Sequence, residues 1–210
     1  ILKTVENWQD GDRGGVEYQG YVDDVITEQS IKWLKERDSD QPFFLCTQFK
    51  ATHEPFGYPE RHRDFLEEVT LPFPEGIHED LTESGKVHPG WPLEILGGRF
   101  EQFAGGRYPG GPFSLEGLEQ RAAREKTYQK FVKDFLRAGA AIDDQIGKLI
   151  SYLKAEGLYE NTIIIYTSDQ GYFLGEHGFF DKRFIYEPSL RMQTVIKTAD
   201  AGLKASRVND

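Results

Sequence analysis

The sequence contains one cysteine, one methionine and no apolar run approaching the ~20 residues of a membrane-spanning helix. The lone thiol, Cys46, cannot close an intramolecular disulfide or supply a cysteine-based zinc site. Inside Pro42-Phe43-Phe44-Leu45-Cys46 its expected place is that of a small buried hydrophobe. Basic charge is also scarce. Lys and Arg number 25 against 35 Asp and Glu, a formal charge of −10, and no basic stripe gathers along the chain. Phosphate backbones demand clustered cations, so nucleic acid is disfavoured as a partner. No signal-like segment opens the chain. It begins at Ile1 without a methionine and ends at Val208-Asn209-Asp210, so it reads as an incomplete domain from a longer polypeptide.

What remains, 210 residues in all, is enough for one domain with a real core. Val22, Val25, Ile26, Trp33 and Leu34 recur at helical spacing between Tyr21 and Arg37, predicting an amphipathic helix that Asp38-Ser39-Asp40-Gln41-Pro42 breaks. Phe43 to Phe49 then reads as a buried strand, running out into Lys50-Ala51-Thr52-His53-Glu54-Pro55. Residues 54–113 form a Gly/Pro-rich excursion in which long regular elements are not expected, and which serves as a candidate wall for a substrate pocket. From Leu115 to Glu156, Phe131, Phe135, Ala138, Ile142, Ile146, Leu149 and Leu153 follow three- and four-residue steps, with Gly157 as the stop. The run Ile163-Ile164-Ile165-Tyr166 reads as a second buried strand, and Thr194 to Lys197 as another. Two helix-then-strand units predict an α/β fold: a largely parallel sheet flanked by helices, with residues 1–210 forming a single, partial domain.

In such a sheet, ligands gather at the carboxyl ends of the strands. Two clusters of ionisable groups stand there. One holds Lys50 and His53; the other packs Asp169, Gln170, Glu176, His177, Asp181 and Lys182 into fourteen residues among Gly171, Gly175 and Gly178. Asp169 and Gln170 offer oxygen ligands suited to a hard divalent cation, or else begin a turn and cap a helix. His53 and His177 are candidate proton donors, and Lys50 and Lys182 candidate partners of a developing oxyanion; a lone loop histidine is more often a surface residue. His62, His78 and His88 take the surface reading, as do the helix acids Asp143 and Asp144. Trp91, Arg99 and Arg107 are candidates for contact with an anionic sugar, with ordinary surface roles weighing more.

The stretch from Asn161-Thr162-Ile163-Ile164-Ile165-Tyr166-Thr167-Ser168-Asp169-Gln170-Gly171 through Leu174-Gly175-Glu176-His177-Gly178 to Phe180-Asp181-Lys182-Arg183-Phe184 strongly resembles the type I sulfatases of the alkaline-phosphatase superfamily. The Pro42 to Pro55 segment and Ile142-Asp143-Asp144-Gln145-Ile146-Gly147 are similar to it as well. The resemblance implies a sulfuric ester hydrolase in which Asp169 and Gln170 ligate calcium. His53 and Lys182 would contact the sulfate and act as catalytic groups. Lys50 would help bind it, and His177 would sit at the pocket. It also implies a sulfated small molecule or glycan as partner, and a secreted, periplasmic or lysosome-like compartment. The family's nucleophile is a formylglycine made within a Cys-x-Pro-Ser-Arg-like motif. No such motif occurs here, and Cys46 is followed by Thr47-Gln48-Phe49, so the nucleophile is expected from sequence upstream. The chain alone is expected to be inactive. Competing readings are a phosphodiesterase or phosphonate hydrolase of the same superfamily, and an inactive fragment acting as a binding module. The oligomeric state is not legible.

Overall fold

The computed structural model describes residues 18–79, 91–103 and 105–199. Helix α1 spans Val22–Glu36, with Asp23 and Asp24 in its first turn and Lys35 in its last, charges that complement the helix dipole. Helix α2 spans Leu93–Gln102, and α3 spans Gln120–Ala155. At 36 residues, α3 is about 54 Å long and forms the spine of the molecule. The predicted stop at Gly157 is realised as a Schellman motif. Gly157 adopts φ +67°, its N–H reaches the Lys154 carbonyl, and the Leu158 N–H reaches back to Leu153.

Both other helices pack on α3. Leu93, Leu96 and Phe100 of α2 are fully buried against Phe131 and its neighbours. A glycine is needed at position 97, because a Cβ there would meet Thr127 Oγ1 of α3 at 2.6 Å. α1 is tied to α3 by ions and amides instead. Arg61, in a short 3-10 turn at Glu60–His62, bonds both carboxylate oxygens of Asp24 at 2.8 Å and Asp144 at 2.8 Å. His62 also bonds Asp144, and Gln145 bonds Asp24. Asp144 therefore has a structural role, Asp143 is exposed, and His78 pairs with Glu125. His88 lies outside the described residues. The 54–113 excursion is more ordered than its prolines and glycines predict, since α2 forms within it.

The strands depart from expectation. β1 (Ile164–Thr167) pairs antiparallel with β4 (Thr194–Lys197), and β2 (Phe173–Leu174) pairs antiparallel with β3 (Phe180–Asp181); α4, Glu187–Leu190, lies between β3 and β4. No parallel pair forms among the described residues. Phe43 to Phe49 keeps a two-residue alternation, with Phe43, Leu45, Thr47 and Phe49 half-buried and Phe44, Cys46 and Gln48 exposed, yet it pairs with no strand among the described residues. Its inner face rests on α1, where Phe43 meets Trp33 and Thr47 Oγ1 lies 3.1 Å from Ser30 Oγ. The expected burial of Cys46 is corrected: it is exposed. So are Ile163 and Ile165, each 61 % exposed, and Phe44 at 89 %. The reason is geometric. A strand is buried only when neighbours flank it and a layer covers each face, and the described chain covers these segments on one side.

Candidate functional site

Two aromatic side chains of α3, Phe131 and Phe135, form the platform on which the polar loops are assembled. Phe56, just after the His53 loop, is fully buried with its ring centre 5.1 Å from Phe131 and 6.4 Å from Phe135. Tyr172, just after Asp169 and Gln170, lies 6.2 Å and 5.5 Å from the same two rings and 6.5 Å from Phe56. Two loops more than a hundred residues apart are thereby pinned side by side. Burial and the carboxylates of Asp181 and Glu54 hold the Tyr172 phenol well above its usual pKa, so it stays neutral here.

Asp169, Gln170 and Lys182 line one open pocket of about 260 Å³, together with Arg183, Ser189 and a rim of Phe184, Ile185, Leu190 and Met192. Gly171 ties the Asp169 loop to α4. The Gly171 N–H donates to the Ser189 carbonyl at 2.8 Å, and a Cβ would sit 2.0 Å from the Pro188 oxygen, so only glycine lets the loop approach α4 this closely. The side chains of Asp169 and Gln170 make no hydrogen bond to other described residues. The Lys182 ammonium has no acidic partner among them and lies 5.9 Å from the Tyr172 ring centre. A larger space, about 450 Å³, opens where α1 and α3 end near Arg37 and Tyr152, but it contains none of these groups.

Lys50 and His53 lie on the neighbouring loop. Partial burial and the nearby Lys182 ammonium push the Lys50 ammonium below the ordinary lysine range, with Asp23 pulling the other way. His53 is exposed, and its Nδ1 lies 2.8 Å from the Glu54 carbonyl oxygen. A carbonyl only accepts, so Nδ1 carries the proton and Nε2 is left for other partners. His177 stands apart. It adopts φ +55° in a 3-10 turn between β2 and β3, its Nδ1 is 2.7 Å from Glu79 Oε2, and it does not line the pocket.

Supporting roles escaped the sequence reading. Asp23 is fully buried, and its two oxygens accept the backbone N–H groups of Lys50 (2.6 Å) and Ala51 (3.2 Å), fixing the start of the His53 loop. Asp181, buried at φ +79°, accepts the Lys182 N–H at 2.9 Å and Arg183 Nε at 2.6 Å. Glu54 accepts two bonds from Arg99 at 3.0 Å and a further one from the Tyr108 hydroxyl. A signal for Asp181 existed in its place between an aromatic pair and two cations. None existed for Asp23, whose partner is 27 residues away. Of the candidate sugar contacts, Arg99 is committed to Glu54, with its guanidinium 4.7 Å from the Trp91 ring centre, and Arg107 lies 5.8 Å from the Tyr108 ring.

A carboxylate and an amide oxygen are donors that a hard cation such as calcium accepts, and both are unengaged. They supply two of the 6 to 8 oxygens such an ion takes. Among the described residues, no three His, Cys, Asp or Glu side chains converge on one point. The pair therefore fits part of a calcium site.

A model of the Sulfatase family matches residues 2–206 of this chain. The chain belongs to the sulfatase family. It is 31 % identical to N-acetylglucosamine-6-O-sulfatase of Bacteroides thetaiotaomicron over 96 % of its own length and 42 % of the relative's. It is 29 % identical to mouse iduronate 2-sulfatase over 83 % of this chain and 30 % of that protein. Among solved structures, it resembles a protein in complex with its substrate D-glucosamine-2-N,6-O-disulfate, with TM-score 0.75 and 28 % identity, covering 91 % of this chain and 45 % of the other. A phosphonate monoester hydrolase from Silicibacter pomeroyi, TM-score 0.62 at 23 % identity, shares the fold. This sulfatase-family chain thus spans less than half the length of these proteins. Among its described residues, no helix is long and apolar enough to cross a membrane.

Proposed function

We propose that this chain is the part of a sulfate ester hydrolase that grips the sulfate and assists its departure. The observation that carries the reading is the meeting, in one pocket, of Asp169, Gln170 and a Lys182 with no acidic partner among the described residues, beside a loop that bears Lys50 and His53. Lys182 donates to a sulfate oxygen, and Lys50 adds positive charge. His53, held by its Nδ1 proton on the Glu54 carbonyl, directs Nε2 chemistry; in its imidazolium form Nε2–H donates to the ester oxygen as the bond to sulfur breaks. Asp169 and Gln170 hold calcium, which when bound neutralises charge on the sulfate oxygens. His177, engaged by Glu79 outside this pocket, is given no part in gripping the sulfate.

The nucleophile, a formylglycine in this reading, comes from polypeptide outside the chain. The exposed Ile163, Ile165, Val195, Ile196 and Phe44, and a Phe43 to Phe49 segment that pairs with no strand among the described residues, support the reading that further strands of the whole domain pack there. The substrate class is a sulfated sugar. Support for it comes from the N-acetylglucosamine-6-O-sulfatase relative and from the disulfated glucosamine in the resembling complex. A secreted, periplasmic or lysosome-like location agrees with such a substrate.

The test uses the complete enzyme that carries this chain, assayed on N-acetylglucosamine 6-sulfate. Lys182→Ala and His53→Ala should each lower kcat/KM by roughly 100-fold or more, as for loss of an oxyanion donor or a general acid. Rates unchanged in both variants refute the assignment.

A further inference from the structure

We infer that Arg183 forms a second anion-binding subsite beside the sulfate pocket, reading a further sulfate or carboxylate on the same sugar substrate. This inference rests on the sulfate-pocket reading above and adds a specificity-determining residue to it. Arg183 lines the pocket together with Lys182, Asp169 and Gln170. Its guanidinium is held at two points. Nε donates to Asp181 Oδ2 at 2.6 Å, and the guanidinium carbon lies 4.7 Å from the Trp91 ring centre.

Those two contacts leave the working end of the side chain open. Nη1 and Nη2 make no hydrogen bond to other described residues, and the side chain is 56 % exposed. A guanidinium fixed through Nε and resting on an aromatic ring presents its terminal nitrogens as a ready fork, the geometry that binds sulfate or carboxylate bidentately. Arg99 is the internal contrast. It lies at the same distance from Trp91, but its Nη1 is spent on both oxygens of Glu54, so it braces the ring.

The same Asp181 carboxylate that holds Arg183 also accepts the backbone N–H of Lys182. One buried acid therefore sets the relation between the residue assigned to the scissile sulfate and the residue assigned to the second anion. Asp181 offsets one of the two positive charges, so Lys182 and Arg183 together discriminate between substrates by hydrogen-bond geometry as well as by charge. Adjacent Cα atoms are about 3.8 Å apart, and the two heads accordingly serve groups on one monosaccharide or across one linkage.

The experiment is calorimetric titration of the complete enzyme that carries this chain, its nucleophile replaced by Ala and calcium present, using D-glucosamine-2-N,6-O-disulfate and N-acetylglucosamine 6-sulfate as probes. The disulfate should bind roughly 10- to 100-fold more tightly, the range expected for hydrogen bonds to a charged group. Arg183→Gln should abolish that preference, lowering affinity for the disulfate roughly 10- to 100-fold more than affinity for the 6-sulfate. Arg183→Lys, which keeps the charge and loses the fork, should restore little of it. Circular dichroism identical to the parent enzyme shows that the variants fold. Equal binding of both sugars by the parent enzyme, or an undiminished preference in Arg183→Gln, overturns the subsite and leaves the sulfate pocket standing. Failure of the parent enzyme to bind either sugar overturns both.

Discussion

Replacing Asp23 tests how the His53 loop is held. The carboxylate is fully buried, has no Lys or Arg within ion-pairing distance among the described residues, and accepts the N–H groups of Lys50 and Ala51. Hydrogen bonds to a charged group contribute about 1.5–3 kcal/mol each, so Asp23→Ala forfeits about 3–6 kcal/mol gross. The buried anion's own desolvation no longer opposes folding, which brings the expected net loss to about 2–4 kcal/mol. Asp23→Asn keeps one accepting oxygen but turns an NH2 toward the other N–H donor, so about half of that loss should remain. Urea denaturation at constant m measures both. Asp143→Asn, on an exposed face of α3, is the control and should fall within ±0.5 kcal/mol. The site offers a second readout, because Lys50 and His53 follow the tethered backbone: sulfated-sugar affinity should fall in Asp23→Asn under conditions where the variant remains folded. A stability change below about 0.5 kcal/mol in Asp23→Asn, with binding intact, would refute the tether.

Three further outcomes are expected. Gly171→Ala drives a Cβ to 2.0 Å from the Pro188 oxygen and 2.8 Å from that of Arg191, so α4 must move; a loss of about 1–3 kcal/mol and weaker calcium binding should appear in thermal melts and titrations, and an unchanged Tm would contradict the close approach. Phe56→Ala removes the fully buried ring that joins the His53 loop to Phe131, and should cost about 3–5 kcal/mol by chemical denaturation, with Phe56→Leu costing less; equal stability of the two variants counts against the aromatic platform. The Lys50 ammonium sits below its ordinary pKa of 10.5, chiefly through burial and then through Lys182. The protonated form binds anions, so affinity for a sulfated sugar should hold at lower pH and decline as pH rises through this depressed value; Lys50→Arg should flatten the alkaline decline, and a profile identical to the parent would exclude Lys50 from the pocket.

Local chemistry was legible in the residues themselves. The apolar steps of α1 and α3 and the Gly157 stop are recorded in spacing and in the conformational freedom of one glycine, so the helices could be read without the fold. The block from Asn161 to Lys182 carried enough of the sulfatase pattern to place the chain in its family. Contacts between distant segments left no such trace. The strand at Ile164 was expected to lie buried in a parallel sheet, but its described partner is the antiparallel Thr194–Lys197 segment. Cys46 was expected inside because its neighbours are apolar, yet alternation turns it outward. His53 was expected to reach Asp169 through a shared sheet edge. Instead, the described structure joins their loops through the rings of Phe56, Tyr172, Phe131 and Phe135.

The sequence by itself determined helices α1 and α3, the family and the identity of the chemical groups, because periodicity, capping and motif are properties of neighbouring residues; α2 was not legible in it. Tertiary structure alone decided which of those groups meet. It set Asp169, Gln170, Lys182 and Arg183 around one pocket, buried Asp23 under the Lys50 backbone and turned His177 toward Glu79. The last two depend on hydrogen bonds between segments 27 and 98 residues apart, and residue spacing carries no record of such contacts.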